Sequence, residues 1–112
     1  MDASNVAVLR GVVTSEPKIR ELPSGCTVTS VEVTTRSDVL TASVPVVVHD
    51  RPVGVAAGDE VVVVGTVQRR FFRAAGATQS RTEVVATLLV KATRRRTVER
   101  ALLEAVALLS PP

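Results

Sequence analysis

The stretch from Gly58 to Arg73 restricts the fold more than any other part of this 112-residue chain. A Gly-Asp turn opens it, and the run Val61-Val62-Val63-Val64 follows, whose branched Cβ atoms suit a pleated strand and crowd a helix. It ends in Gln68-Arg69-Arg70-Phe71-Phe72-Arg73, which holds both of the chain's aromatic rings. Successive strand residues point to opposite faces. Gln68, Arg70 and Phe72 are therefore expected on one face, and Arg69, Phe71 and Arg73 on the other. Gly65, inside the apolar run, predicts a bulge or sharp bend in a long strand.

Apolar residues make up 46% of the chain and are mostly valine, alanine and leucine rather than aromatic, so an all-β core is expected. The length suits one compact domain. Of the 14 basic side chains, all but Lys18 and Lys91 are arginine, and the formal net charge is +3. Guanidinium groups offer a planar fork of donors for phosphate and a flat face for stacking, which points to a polyanionic partner; a solvated, idle basic surface is the alternative. Cys26 is the only cysteine and His49 the only histidine, which excludes an intrachain disulfide and a zinc cluster. Cys26, beside a turn glycine, reads as a small buried or half-buried filler. The first residues lack the pattern of a signal peptide and no apolar run reaches membrane-spanning length, so a soluble cytoplasmic protein is expected.

Along the chain, Asn5 to Thr14 reads as an opening strand with Gly11 at a second bend. Pro17 interrupts it, because proline cannot donate to a ladder, and Lys18 to Leu22 resumes it as one curved ribbon. Pro23-Ser24-Gly25 is a turn. Thr27 to Arg36 alternates as a half-buried strand, with Val31 and Val33 on one face and Ser30, Glu32, Thr34 and Arg36 on the other. Ser37 to Ser43 reads as a short polar connection, Val44 to His49 as a third major strand, and Asp50 to Gly58 as a loop or single helical turn. After the central strand, Ala74 to Ser80 is expected to be a flexible hairpin tip, with Arg81 to Val90 pairing back as a fifth strand. Five such strands suit a small closed barrel or sandwich.

The last segment changes period. Val98, Ala101, Leu102, Ala105, Val106 and Leu109 recur at helical spacing, with Thr97 as the expected cap and Pro111 as the stop. The division is residues 1–92 as the β domain and 93–112 as a helical packing or oligomerisation element. The helix's apolar stripe is too broad to leave in water, and packs either on its own barrel or on a partner subunit. Arg94-Arg95-Arg96, ahead of it, is either an extension of a basic groove or a solvated lead-in.

Several features stand in a familiar order: Asn5 through Gly11, Glu16-Pro17 with Arg20, the turn Pro23-Ser24-Gly25, the strand to Val33, Val46-Val47-Val48, Gly58-Asp59-Glu60-Val61 leading to Gly65, and Thr82 through Ala86. In this order the chain resembles the bacterial single-stranded DNA-binding protein family over roughly Ser4 to Val90. The resemblance implies a five-stranded OB-fold barrel with long hairpins, followed here by the C-terminal amphipathic helix. It also implies non-sequence-specific binding of single-stranded DNA in a basic groove, assembly into a dimer or tetramer, and a role in DNA replication, repair or recombination near the nucleoid. No cofactor, metal or small-molecule substrate is implied.

The departures are specific. Ser43 or Val44 stands where the family offers a tryptophan, His49 where a phenylalanine is common, and the long hairpin after the second strand is shortened. The glycine- and proline-rich tail with its acidic tip is missing. The stacking platform is thus reduced to Phe72, with Phe71 and His49 as further candidates, and affinity leans on arginine and phosphate. Phe71, on the alternate side, reads mainly as a packing residue, and the alternative for Phe72 is to close the end of the barrel core. Candidate contacts are Phe72, Arg70, Gln68, Arg69, Arg73, Arg81, His49, Arg36 and Phe71. For His49 three readings stand: a stacking ring, a phosphate donor, or an ordinary polar strand end. Its neighbour Asp50 points elsewhere on a strand, so no catalytic pair forms, and nothing in the chain has the pattern of an enzyme site. The competing reading is a protein-interaction or assembly subunit of the same fold with weak or no nucleic-acid binding.

Overall fold

The computed structural model describes residues 4–110, and these form a mostly β molecule with one C-terminal helix. The strands are β1 (Ala7–Val13), β2 (Lys18–Glu21), β3 (Thr27–Arg36), β4 (Thr41–His49), β5 (Glu60–Ala74) and β6 (Ala77–Lys91), followed by α1 (Arg95–Leu109). β1 pairs with β5, β5 with β6, β6 with β4, β4 with β3, and β3 again with β1 at Val12–Thr34 and Val13–Val33. Five strands are thereby linked in a ring. All pairings in it are antiparallel except that of β4 with β6, at Val46–Val84 and Val47–Val85. β2 lies against β3 beside β1, so the two form one interrupted ribbon along β3, as the break at Pro17 predicts.

The ring encloses a core made almost wholly of valine. Val13, Val31, Val33, Val46, Val48, Val61, Val63 and Val84 point inward with Ala86, and Val55 from the segment between β4 and β5 joins them. That segment forms no helix. It is pinned by the Asp59 carboxylate, which accepts from the Ala56 N–H at 2.8 Å, and its Val53 and Val55 turn inward. Neither phenylalanine takes part. Fully burying each such side chain contributes on the order of 1.5–3 kcal/mol.

Closing a ring of so few strands forces two of them to bend until backbones nearly touch. A Cβ on Gly65 would collide with the Val85 carbonyl oxygen and lie 2.9 Å from the Ala86 Cα, and one on Gly11 would collide with the Thr34 carbonyl. The register also slips here. Val64 faces Leu88 while Gly65 faces Ala86, so the extra residue of the bulge is Thr87 on β6, whose hydroxyl donates to the Val64 carbonyl at 3.0 Å. The bend expected at Gly65 is present, but the inserted residue lies on the partner strand.

Beyond Val67 and Val84, β5 and β6 pair only with each other and project as a two-stranded arm. At its base the Asn5 side-chain amide donates to the Val67 carbonyl at 2.7 Å and accepts from the Val67 N–H at 3.1 Å, acting as one more rung of the ladder. The tip is tighter than the expected loop from Ala74 to Ser80. Strand pairing continues to Ala74–Ala77, and the turn is Ala75-Gly76, with φ of 52° and 77°. Two central residues of positive φ match the right-handed twist of the flanking strands. The β3–β4 connection is also shorter than expected, because β4 begins at Thr41 and the Ser37 side chain gathers the turn.

α1 begins two residues before the expected cap. Thr97 lies inside it, Arg94 occupies the capping position without a side-chain hydrogen bond, and Ser110 closes the other end through the Val106 carbonyl; the expected stop at Pro111 lies outside the described residues. The helix turns its small residues to the sheet. Ala105 is buried and Val98 and Ala101 half-buried, against the outward-facing Val62 and Val64. Leu102, Val106 and Leu109, expected on the same buried stripe, are exposed.

Two substitutions test this account in opposite directions. Gly65→Ala has no space for its methyl group and is expected to destabilise the protein by about 2–3 kcal/mol. Ala75→Asn, at a left-handed position that alanine tolerates poorly, is expected to stabilise it by roughly 0.5–1 kcal/mol. Urea and thermal denaturation followed by circular dichroism measure both.

Candidate nucleic-acid interface

The outward faces of the strands meet in one groove of about 570 Å³. Strand pairing fixes its members. Lys18 lies opposite Ser30 and Ser30 opposite Val47; Arg20 lies opposite Val28 and Val28 opposite His49; Gln68 lies opposite Glu83 and Arg70 opposite Arg81. Directly opposed residues share a face, so these side chains form a continuous surface across β2, β3, β4, β6 and the base of the arm. Val28 and Val47 form an apolar floor, and the charged residues stand around it.

Of the residues expected from the sequence, Gln68, Arg70, Arg81 and His49 come together in this groove. Phe72 continues the same face of β5 onto the arm, where the Arg70 guanidinium carbon lies 5.1 Å from its ring centroid. Arg69, Phe71 and Arg73 occupy the other face of the arm, with Arg69 at 5.4 Å from the Phe71 ring. Each face of the arm therefore carries one arginine over one phenyl ring; Arg70 Nε donates to Glu83 and Arg69 Nε to Ser80, which leaves the terminal nitrogens of each guanidinium for an anion. Arg36 stands apart, opposite Thr41 at the far end of β3.

Two expectations about individual side chains are corrected. Phe71, read as a packing residue, is 65% exposed, because the ring of strands ends at Val67 and no core lies beneath the arm; Phe72 is only half-buried. Cys26, read as a filler, is exposed in the turn between β2 and β3, where the Leu22 N–H bonds to the Cys26 carbonyl and the side chain faces outward.

The groove also holds carboxylates that sequence reasoning missed. Glu83 is 3% exposed and accepts hydrogen bonds from Arg70 Nε at 2.9 Å and Gln68 Nε2 at 3.1 Å. Glu32 accepts from Arg81 Nη2 at 2.9 Å, a bond that reaches from β6 across β4 to β3. Both carboxylates alternate correctly onto the polar face of their strands, and that parity was the available signal. Lys18 and Arg20, also missed, face the groove without a carboxylate partner among the described residues. Four cations stand against two carboxylates, so the groove keeps a positive balance while two of its arginines are already held in place.

His49 is exposed at the end of β4, on the groove side. Asp50, with φ of 54°, turns away and joins the start of β3, its carboxylate accepting from the Thr27 N–H at 3.0 Å. The imidazole therefore has no acid to work with at its neighbour.

No protein-family model matches the sequence, and no curated protein matches it.

The Glu83 contact has a direct readout. In Glu83→Ala the Arg70 Nε–H loses a charge-assisted acceptor, whose bond contributes about 1.5–3 kcal/mol. Hydrogen exchange at that proton, followed by nitrogen-15 NMR, is expected to accelerate about tenfold or more, with Arg73 Nε–H unchanged.

Proposed function

We propose that this protein is an OB-type barrel that binds single-stranded DNA without sequence preference, with the strand lying in the outer groove and running onto the arm. The observation that carries the reading is the uninterrupted face from Lys18 and Arg20, over the apolar floor of Val28 and Val47, to Arg81, Arg70 and Phe72. A flexible polyanion with flat bases needs cations at phosphate spacing and a surface on which a base can lie, and this face offers both. Reading the ring of strands as an OB barrel accounts for the parallel closure between β4 and β6 and for the long β5–β6 arm. Work on DNA in replication, repair or recombination, close to the nucleoid, is the setting this reading gives.

With Phe71 and Phe72 the only phenyl rings on the chain and no Trp or Tyr, ionic contacts dominate the proposed affinity. Binding of a fluorescein-labelled oligothymidylate, followed by anisotropy, is expected to be measurable at low salt and to fall steeply as salt rises. Phe72→Ala is expected to weaken it by about 1–3 kcal/mol, the contribution of one stacked base. Absence of binding at low ionic strength rejects the proposal.

One observation favours a second reading, in which the chain is an assembly subunit. The side of α1 away from the sheet exposes Leu103 and Val106, each more than half accessible, and exposed Leu102 and Leu109 adjoin them. A surface of this kind is costly in water and is suited to a second copy of the chain, which gives the homo-oligomer proposed here. The paired variant Leu103→Glu with Val106→Glu is expected to lower the mass in solution, measured by light scattering, while leaving the circular dichroism spectrum intact. An unchanged mass rejects α1 as the contact.

A further inference from the structure

A second cleft, of about 410 Å³, opens beside the groove, between the segment that follows β4 and the later half of β6. Its floor is apolar, with Pro52, Val53 and Leu89, and its rim carries Arg51, Lys91 and Arg94. The charge pattern differs from that of the groove. Arg70 and Arg81 are each held by a carboxylate, whereas no acidic residue lines this cleft. Lys91 lies 3.9 Å from the Asp59 carboxylate, and Arg51 and Arg94 have no carboxylate within ion-pair distance among the described residues. Arg51 is nevertheless fixed. One terminal nitrogen donates to the Thr87 carbonyl at 2.9 Å, and this carbonyl belongs to the bulged residue that bends β6. The guanidinium is thus anchored by a neutral acceptor at one nitrogen and keeps its remaining donors and its full charge for a ligand.

The two depressions lie on opposite sides of β4 and come together at its end. Val47 and His49 line the groove, whereas Val48 between them turns inward and lines the cleft, so the strand separates the two until its end, where His49 faces the groove and Arg51, two residues on, lines the cleft. A chain of phosphates leaving the groove beside His49 therefore meets Arg51 next and Arg94 across the cleft.

We propose that the cleft is a second subsite for the same polynucleotide strand, in which Arg51 and Arg94 hold phosphates of a segment that has passed His49 and the apolar floor receives the face of a base. The inference rests on the single-strand reading above. It adds that the strand does not end at the groove, and that Arg94, the first of the run Arg94-Arg95-Arg96, belongs to the used surface.

The test compares two lengths of labelled oligothymidylate on the full chain, about 5 nucleotides to fill the groove alone and about 16 to reach the cleft, lengths within the span of one such domain. The double variant Arg51→Ser with Arg94→Ser is expected to bind the short oligomer like the unaltered protein and the long one about fivefold or more weaker. The slope of log affinity against log salt for the long oligomer is expected to flatten by about 1.4, or 0.7 for each lost single-strand phosphate contact. The companion Arg51→Lys with Arg94→Lys keeps the charges and is expected to restore most of the loss, which separates phosphate contact from damage to the β6 bulge. Equal loss for both lengths, loss for neither, or no recovery with lysine overturns the second subsite and leaves the groove reading standing. Failure of the unaltered protein to bind either length overturns both.

Discussion

Everything in this structure depends on the contact that links the end of β1 to β3 and so closes the strands into a ring. Five strands pair in sequence only because β1 and β5 bend sharply enough for Val12 and Val13 to reach Thr34 and Val33. The bends occur where Gly11 and Gly65 let a neighbouring carbonyl occupy the place of a side chain. Closure gives the valine core its inside, with Leu9 and Leu89 packed against it. It also satisfies strand edges that would otherwise offer unpaired N–H and C=O groups.

The same closure produces the candidate interface. Once the ring is complete at Val67 and Val84, the remaining halves of β5 and β6 have no third strand and no core, and they project as an arm whose two faces are both wet. Arginine and phenylalanine on such an arm pair with each other, and the arginines also reach polar groups of the arm, Arg70 the Glu83 carboxylate and Arg69 the Ser80 hydroxyl. Where the arm meets the ring, its Gln68 and Arg70 fall beside the polar faces of β3 and β4, and the groove results. Glu83, at that junction, is buried because it is shared by both, and it fixes the direction in which Arg70 points.

Charge is distributed unevenly around the ring. In the groove the carboxylates of Glu32 and Glu83 orient arginines and lower the net charge. In the cleft beside it Arg51 is oriented by a backbone carbonyl and keeps its charge. A neutral acceptor can aim a guanidinium without competing for the anion that it is to meet, whereas a carboxylate does both. Next to the cleft, α1 follows Arg94, covers Val62 and Val64 with Val98, Ala101 and Ala105, and leaves Leu103 and Val106 outward.

Much of the fold was legible in the chain alone, and for a local reason. The period-two pattern of Thr27 to Arg36, the valine run with its interrupting glycine, and the change to helical spacing after Thr97 each report which side of an element is apolar. Pattern and parity therefore determined the strands, the faces of Gln68, Arg70 and Phe72, and the presence of the helix. They did not reveal that Phe71 would be exposed, that Glu83 would sit under Arg70, or that the larger residues of α1 would face away from the sheet. Those outcomes depend on where the ring ends and on which strand the helix crosses, distances set by residues far apart in sequence. The sequence determined the elements and their faces, because side-chain alternation and helical period are local properties; tertiary structure alone decided which faces meet, because closure brings Val13 to Val33 and Arg81 to Glu32 across most of the chain.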